Sequence, residues 1–359
     1  MRLLTPFHMH FTVILSCLLL LLPGYTLPAH AQKITLSRQI DQLIQSDTPH
    51  RFNGMISIFR NGKEIYHNNK GWADLEKKQP FTANAQFTIA SISKQIAAVL
   101  ILQQVANHRI QLDKPIGEYL PDLPHNWKQQ VTIQQLLTHT SGLNKQGDSL
   151  ENKPGTRYAY SNTGYILLGR VLEKVTGSSY AVLTATLFRQ CKMYHSLAPA
   201  DNTAQIDTST IVQGYTENEQ RRLEPARRLW LPFYAPAGAT VSTVSDLQQW
   251  LQCLHNGRLL PPALYKNMIT PAITYEHRWG TLGYGYGLMI NQQQDIPEIG
   301  HSGYVEGFIA TAVTFPQARL SLVILENVSW DPADMSRVYR HHDNIRTLIR
   351  EKIKTDQFK

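Results

Sequence analysis

Three short stretches of this chain hold residue types that can attack a carbonyl or carry a proton. Ser91 and Lys94 stand three apart in Phe87-Thr88-Ile89-Ala90-Ser91-Ile92-Ser93-Lys94, which leads into the almost wholly apolar run Ile96 to Leu102. That run predicts a buried helix with Ser91 at its N-terminus, and residues three apart share a helix face, so the Lys94 amine can reach the Ser91 hydroxyl. A serine hydroxyl stays inert until a base takes its proton. Lysine can be that base only if desolvation or positive potential, such as the helix N-terminus, lowers its pKa from roughly 10.4. A capping serine followed by a surface lysine would give the same spacing. Position 94 is neither Glu nor Gln, however, so Ser91 opens no capping box, and the helix lacks a polar face to turn to solvent.

The second stretch, Pro154-Gly155-Thr156-Arg157-Tyr158-Ala159-Tyr160-Ser161-Asn162, is a turn running into Tyr-x-Asn ahead of a helix. A cationic lysine beside Tyr160 would favour the phenolate and make it a second proton carrier. Taken alone, this stretch is better read as a core tyrosine followed by a helix-capping Asn162. The third is Gly300-His301-Ser302-Gly303-Tyr304, at the end of a strand-like segment. It nearly matches a G-x-S-x-G nucleophile elbow, but Tyr stands at 304 and a strand pattern follows where the elbow needs a helix. Gly283-Tyr284-Gly285-Tyr286-Gly287 lacks the spacing and helix of a dinucleotide loop and reads as a turn entering a strand.

The elements that must position these residues fall into an α+β pattern, an antiparallel sheet flanked by helices with an inserted helical lobe. Leu36, Ile40, Leu43 and Ile44 share one helix face; Gly54 to Phe59 and Glu64 to His67 read as strands joined at Asn61-Gly62. Tyr286 to Asn291, Phe308 to Phe315 and Leu320 to Glu326 read as strands, with a closing helix from about Asp343 to Lys354. Between these ends, Thr132 with Gln135 and Ser245 with Gln248 form capping boxes, and Tyr165, Leu168, Leu172 and Val175 keep helical spacing up to Gly177. The sheet lobe covers about 32–90 and 275–359 and the helical lobe about 91–274, one catalytic domain with a cleft at the junction.

With 42% hydrophobic and 17% charged residues in 359, the chain can bury a large core. Arg2, the apolar run Phe11 to Leu22, Pro23-Gly24 and Ala29-His30-Ala31 have the form of a signal peptide over residues 1–31, cut before Gln32. The run is short for a spanning helix of roughly 20 residues. Cys17 only faintly resembles a lipoprotein cleavage site. The expectation is export to the periplasm or medium, with membrane or lipid anchoring as the minor alternative. An oxidising compartment would let Cys191 and Cys253 pair, although two separate buried thiols are the expected state. The net charge is +8, or 34 − 27 = +7 without Arg2, which suits peripheral association with an anionic envelope. The basic residues are too scattered for nucleic acid. No CxxC, HExxH or His/Asp cluster has metal-ligand spacing, so neither metal nor cofactor is expected, and His341-His342-Asp343 reads as a solvated helix start.

S-x-x-K, Y-S-N and H-S-G in that order resemble the serine β-lactamase and penicillin-binding superfamily, over about Phe52 to Asn327. The nearest group within it is that of class C β-lactamases, D-alanyl-D-alanine carboxypeptidases, D-amino-acid peptidases and related esterases. Leu112-Asp113-Lys114-Pro115, Thr132 to Leu143 and Val241 to Leu247 are similar to the same group. The resemblance implies a β-lactamase/transpeptidase-like fold in which Ser91 is acylated, Lys94 and Tyr160 share protons, and Asn162 orients Lys94 and the substrate amide. It further implies that His301, Ser302 and Gly303 line the opposite wall, and that the backbone N–H groups of Ser91 and Tyr304 form the oxyanion hole. Class C enzymes carry Lys-Thr-Gly at the third motif, and His301 there implies a weaker anchor for a substrate carboxylate. The resemblance points to an amide or ester hydrolase for a small molecule or peptide, such as a peptidoglycan fragment. A β-lactamase, a slowly turning-over penicillin-binding protein and a non-catalytic binding protein remain as alternatives.

Overall fold

The computed structural model describes residues 35–201 and 209–355. The expected signal peptide, its cleavage point and Cys17 lie outside them. The helices that matter to the site are α1 (Leu36–Gln45), α2 (Ser93–Ala106), α3 (Ile133–Leu137), α4 (Asn162–Thr176), α5 (Tyr180–Gln190), α6 (Val244–His255) and α7 (Arg340–Lys354). The main sheet is built from β1 (Gly54–Arg60), β2 (Lys63–Lys70), β3 (Ile273–His277), β4 (Gly280–Tyr284), β5 (Met289–Asn291), β6 (Glu298–Val305), β7 (Phe308–Phe315) and β8 (Leu320–Glu326). Its order is β2-β1-β8-β7-β6-β5-β4-β3, antiparallel throughout. The fold is thus α+β, with β1 pairing directly to β8 across almost the whole chain.

Strand alternation separates two cores. Leu322 and Ile324 of β8 join Ile56 and Ile58 of β1 against Ile40 and Ile44 of α1 and Ile345 and Ile349 of α7. Val323 and Leu325 face the other way, into the larger core built by α2, α4, α5 and α6. The β1–β2 turn places Asn61 and Gly62 at φ 51° and 75°, as a two-residue hairpin turn requires. Thr132 and Gln135 form the expected capping box on α3, and Gly177 ends α4 at φ 68°.

Other expectations change. The strand expected from Tyr286 begins only at Met289, because Gly285 N–H donates to Leu288 O in a tight turn between β4 and β5. Gly283 and Tyr284 therefore close a strand and do not enter one. α6 is capped by Thr243, whose side chain accepts from Asp246 N–H, in place of a Ser245–Gln248 box. Gln248 is buried instead and donates to Ser57 O at 2.9 Å.

The closing helix starts at Arg340, and His341 and His342 are buried where a solvated start was expected. His342 meets Thr311 Oγ1 at 2.8 Å and Glu326 Oε1 at 3.1 Å, while His341 meets His50 O at 2.8 Å. These partners are remote in sequence, and they remove the cost of burying the rings. Cys191 and Cys253 form a disulfide, correcting the expectation of free thiols. The end of α5 lies beside α6, so two residues 62 apart in sequence come within 5.5 Å at Cα.

Candidate active site

The site is built where α2 points its N-terminus at β6. Phe87–Thr88 pairs with Val241–Ser242, and the chain then turns through a 3-10 segment, Ala90–Ile92, into α2. Ala90 sits at φ 48°, in the left-handed region that costs a non-glycine residue about 1–3 kcal/mol. Ile96, Val99, Leu100, Ile101 and Leu102 bury their side chains in the same helix, an anchorage on the order of 10 kcal/mol that outweighs that strain. Ser93 Oγ bonds back to Ala90 O at 2.7 Å and supports the turn, leaving Ser91 Oγ free of any capping duty.

Lys94 is fully buried beneath Ser91. Its Nζ lies 3.1 Å from Ser91 Oγ, 2.8 Å from Asn162 Oδ1 and 2.7 Å from Ala237 O. All three partners are neutral. Burial in these surroundings pushes the lysine well below its usual range, toward a neutral amine. A neutral amine has two N–H donors and one lone pair, which match two pure acceptors, Asn162 Oδ1 and Ala237 O, and one hydroxyl, Ser91.

Tyr160 also reaches Ser91 Oγ, donating at 2.6 Å. The residue is 42% exposed, so the serine is approachable from solvent along this side. Desolvation raises the phenol above its ordinary value, and the Ser91 hydrogen bond opposes this only in part. Desolvation at the hydroxyl thus opposes the phenolate expected beside a cationic lysine, and burial of Lys94 weakens the positive charge that would favour it. Ser161, not Asn162, caps α4 by accepting from Gly164 N–H at 3.0 Å, which leaves the Asn162 amide to hold Lys94.

From the third motif, Gly303 meets the Ser91 turn most closely. A Cβ there would stand 2.8 Å from each of Ser91 N, Ala90 Cβ and Ile89 O, so only glycine allows β6 to pass. His301 is buried, with Nε2 at 3.1 Å from Tyr284 OH and Nδ1 against Ser302 O. Burial, with Lys94 nearby, takes its pKa down to about 3, so the ring is neutral and both its nitrogens are occupied. Ser302 faces the other side of β6, its Oγ 3.8 Å from Met289 Sδ and 3.5 Å from Arg278 Nη1. The Tyr304 hydroxyl turns away to Trp330 O at 2.9 Å. The structure therefore gathers Ser91, Lys94, Tyr160 and Asn162 into one hydrogen-bonded group, with Gly303 against it, while the side chains of His301, Ser302 and Tyr304 bond elsewhere.

Two contributors were not assigned from sequence. Ala237 acts through a main-chain carbonyl in the π-helical segment Ala235–Ala239, a role no residue type announces. Arg278 lies at the β3–β4 turn, held by Asp343 at 2.9 Å, and its distance from Ser302 in sequence hid the contact. A cavity of about 480 Å³ is lined by Asp74, Lys77, Gln213 and Arg228 among others and includes none of the serine-centred group. Among the described residues no His/Cys/Asp/Glu cluster suits a metal ion.

Residues 40–344 match the family model described as Beta-lactamase. "Protein flp" of Staphylococcus aureus (strain N315) is 26% identical over 328 residues, a match covering 81% of this chain and 63% of that protein, so the chain spans less than two thirds of that relative. Among solved structures, a penicillin-binding protein homologue from Pyrococcus abyssi superposes with a TM-score of 0.72 at 25% identity, over 81% of this chain and 72% of that one. A D-amino acid amidase from Ochrobactrum anthropi SV3 complexed with L-phenylalanine amide superposes at 0.77 and 23% identity, over 90% and 99%, which shows the shared fold.

Proposed function

The chain belongs to the beta-lactamase family, and from that premise we propose that it is an exported serine hydrolase that opens an amide or ester through an acyl-enzyme on Ser91. The observation that carries this reading is the buried Lys94, its pKa lowered by desolvation, bonded to Ser91 Oγ together with the Tyr160 phenol on the same oxygen. The neutral amine takes the Ser91 proton as Oγ bonds to the carbonyl carbon. Charge developing on the carbonyl oxygen is met by the backbone N–H groups of Ser91 and Tyr304, which Gly303 brings together. Tyr160 gives its proton to the departing amine or alcohol and is reprotonated from the Lys94 ammonium. Water then reverses the sequence, releasing the acid and restoring Ser91.

The substrate class follows from the anchors. His301 is neutral and internally bonded, and Ser302 faces the other side of β6, where it meets Arg278, itself paired with Asp343, so the third motif offers no charged anchor for a substrate carboxylate beside Ser91. Small esters and D-amino-acid amides or peptides are therefore preferred over antibiotics whose recognition depends on a carboxylate, a choice also supported by the D-amino acid amidase likeness. The disulfide and the leader-like first residues support export. The second reading, a β-lactamase or a penicillin-binding protein that acylates and barely turns over, is favoured by the penicillin-binding homologue.

Purified protein offered a p-nitrophenyl ester, D-phenylalanine amide and a fluorescent penicillin distinguishes the readings. Turnover of ester or amide, abolished by Ser91→Ala, is expected. Rapid penicillin hydrolysis or a lasting penicillin adduct, with ester and amide untouched, replaces the first reading by the second. Inertness toward all three in a folded protein makes it a binding protein.

A further inference from the structure

His139 lies in the segment Thr138-His139-Thr140-Ser141-Gly142, to which no role in the reaction falls, and it is fully buried. Its backbone is held at φ 57°, an uncommon conformation for a non-glycine residue. Its carbonyl accepts from Ala159 N–H at 2.7 Å, and its ring Nδ1 accepts from Ser161 N–H at 3.1 Å. These are the two residues flanking Tyr160. The ring itself lies against Tyr160, with centroids 4.3 Å apart, and against Tyr284 at 4.7 Å.

Because Nδ1 accepts from a backbone N–H, the proton of the neutral ring sits on Nε2, which has no hydrogen-bond partner among the described residues. His139 thus has no acceptor to which it could pass a proton. What it does have is a grip on both sides of Tyr160. The left-handed backbone lets carbonyl and ring reach the same short strip, and the Ser161 N–H would otherwise be a buried, unsatisfied donor.

We propose that His139 is a positioning residue for Tyr160, clamping residues 159–161 so that the phenol lies on Ser91 Oγ. The clamp stands on geometry alone; its kinetic consequence rests on the reading of Ser91 and Tyr160 as a reacting pair. His139→Phe keeps a flat ring and loses the acceptor. His139→Asn keeps an acceptor near the Nδ1 position in a residue that tolerates positive φ, and loses the ring.

Two measurements test this. Amide exchange by NMR should accelerate at Ser161 by about tenfold or more in His139→Phe and by less than about threefold in His139→Asn, with α3 unchanged in both. Unchanged protection in the Phe variant, or equal loss in the Asn variant, overturns the clamp. If the Phe variant does not fold, the Asn variant decides, a protected Ser161 amide supporting the clamp and an exposed one refuting it. In a double-mutant cycle on ester hydrolysis, His139→Phe should lower kcat/KM by about tenfold or more with Tyr160 present and by less than about threefold in Tyr160→Phe. Equal losses in both backgrounds mean that His139 does not act through Tyr160. A wild type without ester turnover defeats the hydrolase reading, and the exchange experiment still decides the clamp.

Discussion

Lys94 and Glu298 are ionisable side chains buried to nearly the same degree, 0% and 1% exposed, on opposite sides of one sheet. Glu298 receives Arg346 on both carboxylate oxygens and Arg350 at 3.2 Å, and Arg350 continues to Ile296 O and Gln293 O. Lys94 receives only a hydroxyl, an amide oxygen and a main-chain carbonyl. Glu298 and its two arginine partners tie α7 to β6. Burial without a counter-charge instead makes the proton easier to lose, which suits Lys94 to the base role proposed for it. The difference lies in the partners supplied, not in the depth.

The contrast predicts opposite outcomes for the two side chains. Lys94→Met, similar in length, should slow acylation by about 10²- to 10⁴-fold, the usual contribution of a general base. It should leave stability equal or higher at pH 7. The sign follows from linkage: burial lowers the pKa of the folded lysine below the unfolded value of roughly 10.4, so the cost of burying it is full at low pH and is relieved as pH rises between the two values, and the advantage of methionine fades through that window. Urea melts of both proteins at neutral and high pH, with acylation rates at pH 7, check it. Retained acylation or a large loss of stability would break the contrast.

Glu298→Gln should do the reverse, destabilising the protein by about 3–5 kcal/mol because it leaves two arginines without their shared carboxylate. The molecules that remain folded should acylate within about threefold of wild type, since Glu298 touches nothing in the Ser91 group. Equilibrium unfolding and active-site titration separate the two readouts.

These two predictions also mark what the sequence carried. S-x-x-K was legible because three residues on a helix fix a geometry, and the apolar run after it announced that Lys94 would be buried. The hairpin at Asn61-Gly62, the capping box at Thr132 and the strands from Phe308 to Glu326 were legible for the same reason, as each is a local pattern. Illegible features depend on remote partners: the burial of His341 and His342, the Cys191–Cys253 bond, the Ala237 carbonyl, and the enclosure that makes His301 a structural acceptor and donor. Sequence shows a lysine beside a tyrosine but not the desolvation that lowers the lysine and raises the phenol, and so could not weigh the phenolate.

The smallest expected effect concerns His301. His301 is held neutral by burial, with a pKa of about 3, whereas burial lowers the Lys94 pKa from its ordinary alkaline value, so the acid limb expected for kcat/KM is assigned to Lys94 and not to the histidine. His301→Gln should move that acid limb by less than about 0.3 pH unit, whatever it does to the plateau. A shift of about one unit would make the histidine the titrating base and erase the distinction between Lys94 and the other buried groups.

The central claim is that one oxygen, Ser91 Oγ, is the nucleophile because Lys94 and Tyr160 converge on it. Intact mass and peptide mapping after a fluorophosphonate probe test it most directly, in wild type, Ser91→Ala, Ser93→Ala and Ser302→Ala. A single adduct on Ser91, lost only in Ser91→Ala, is the predicted result. An adduct that persists in folded Ser91→Ala, or disappears in folded Ser302→Ala, contradicts it.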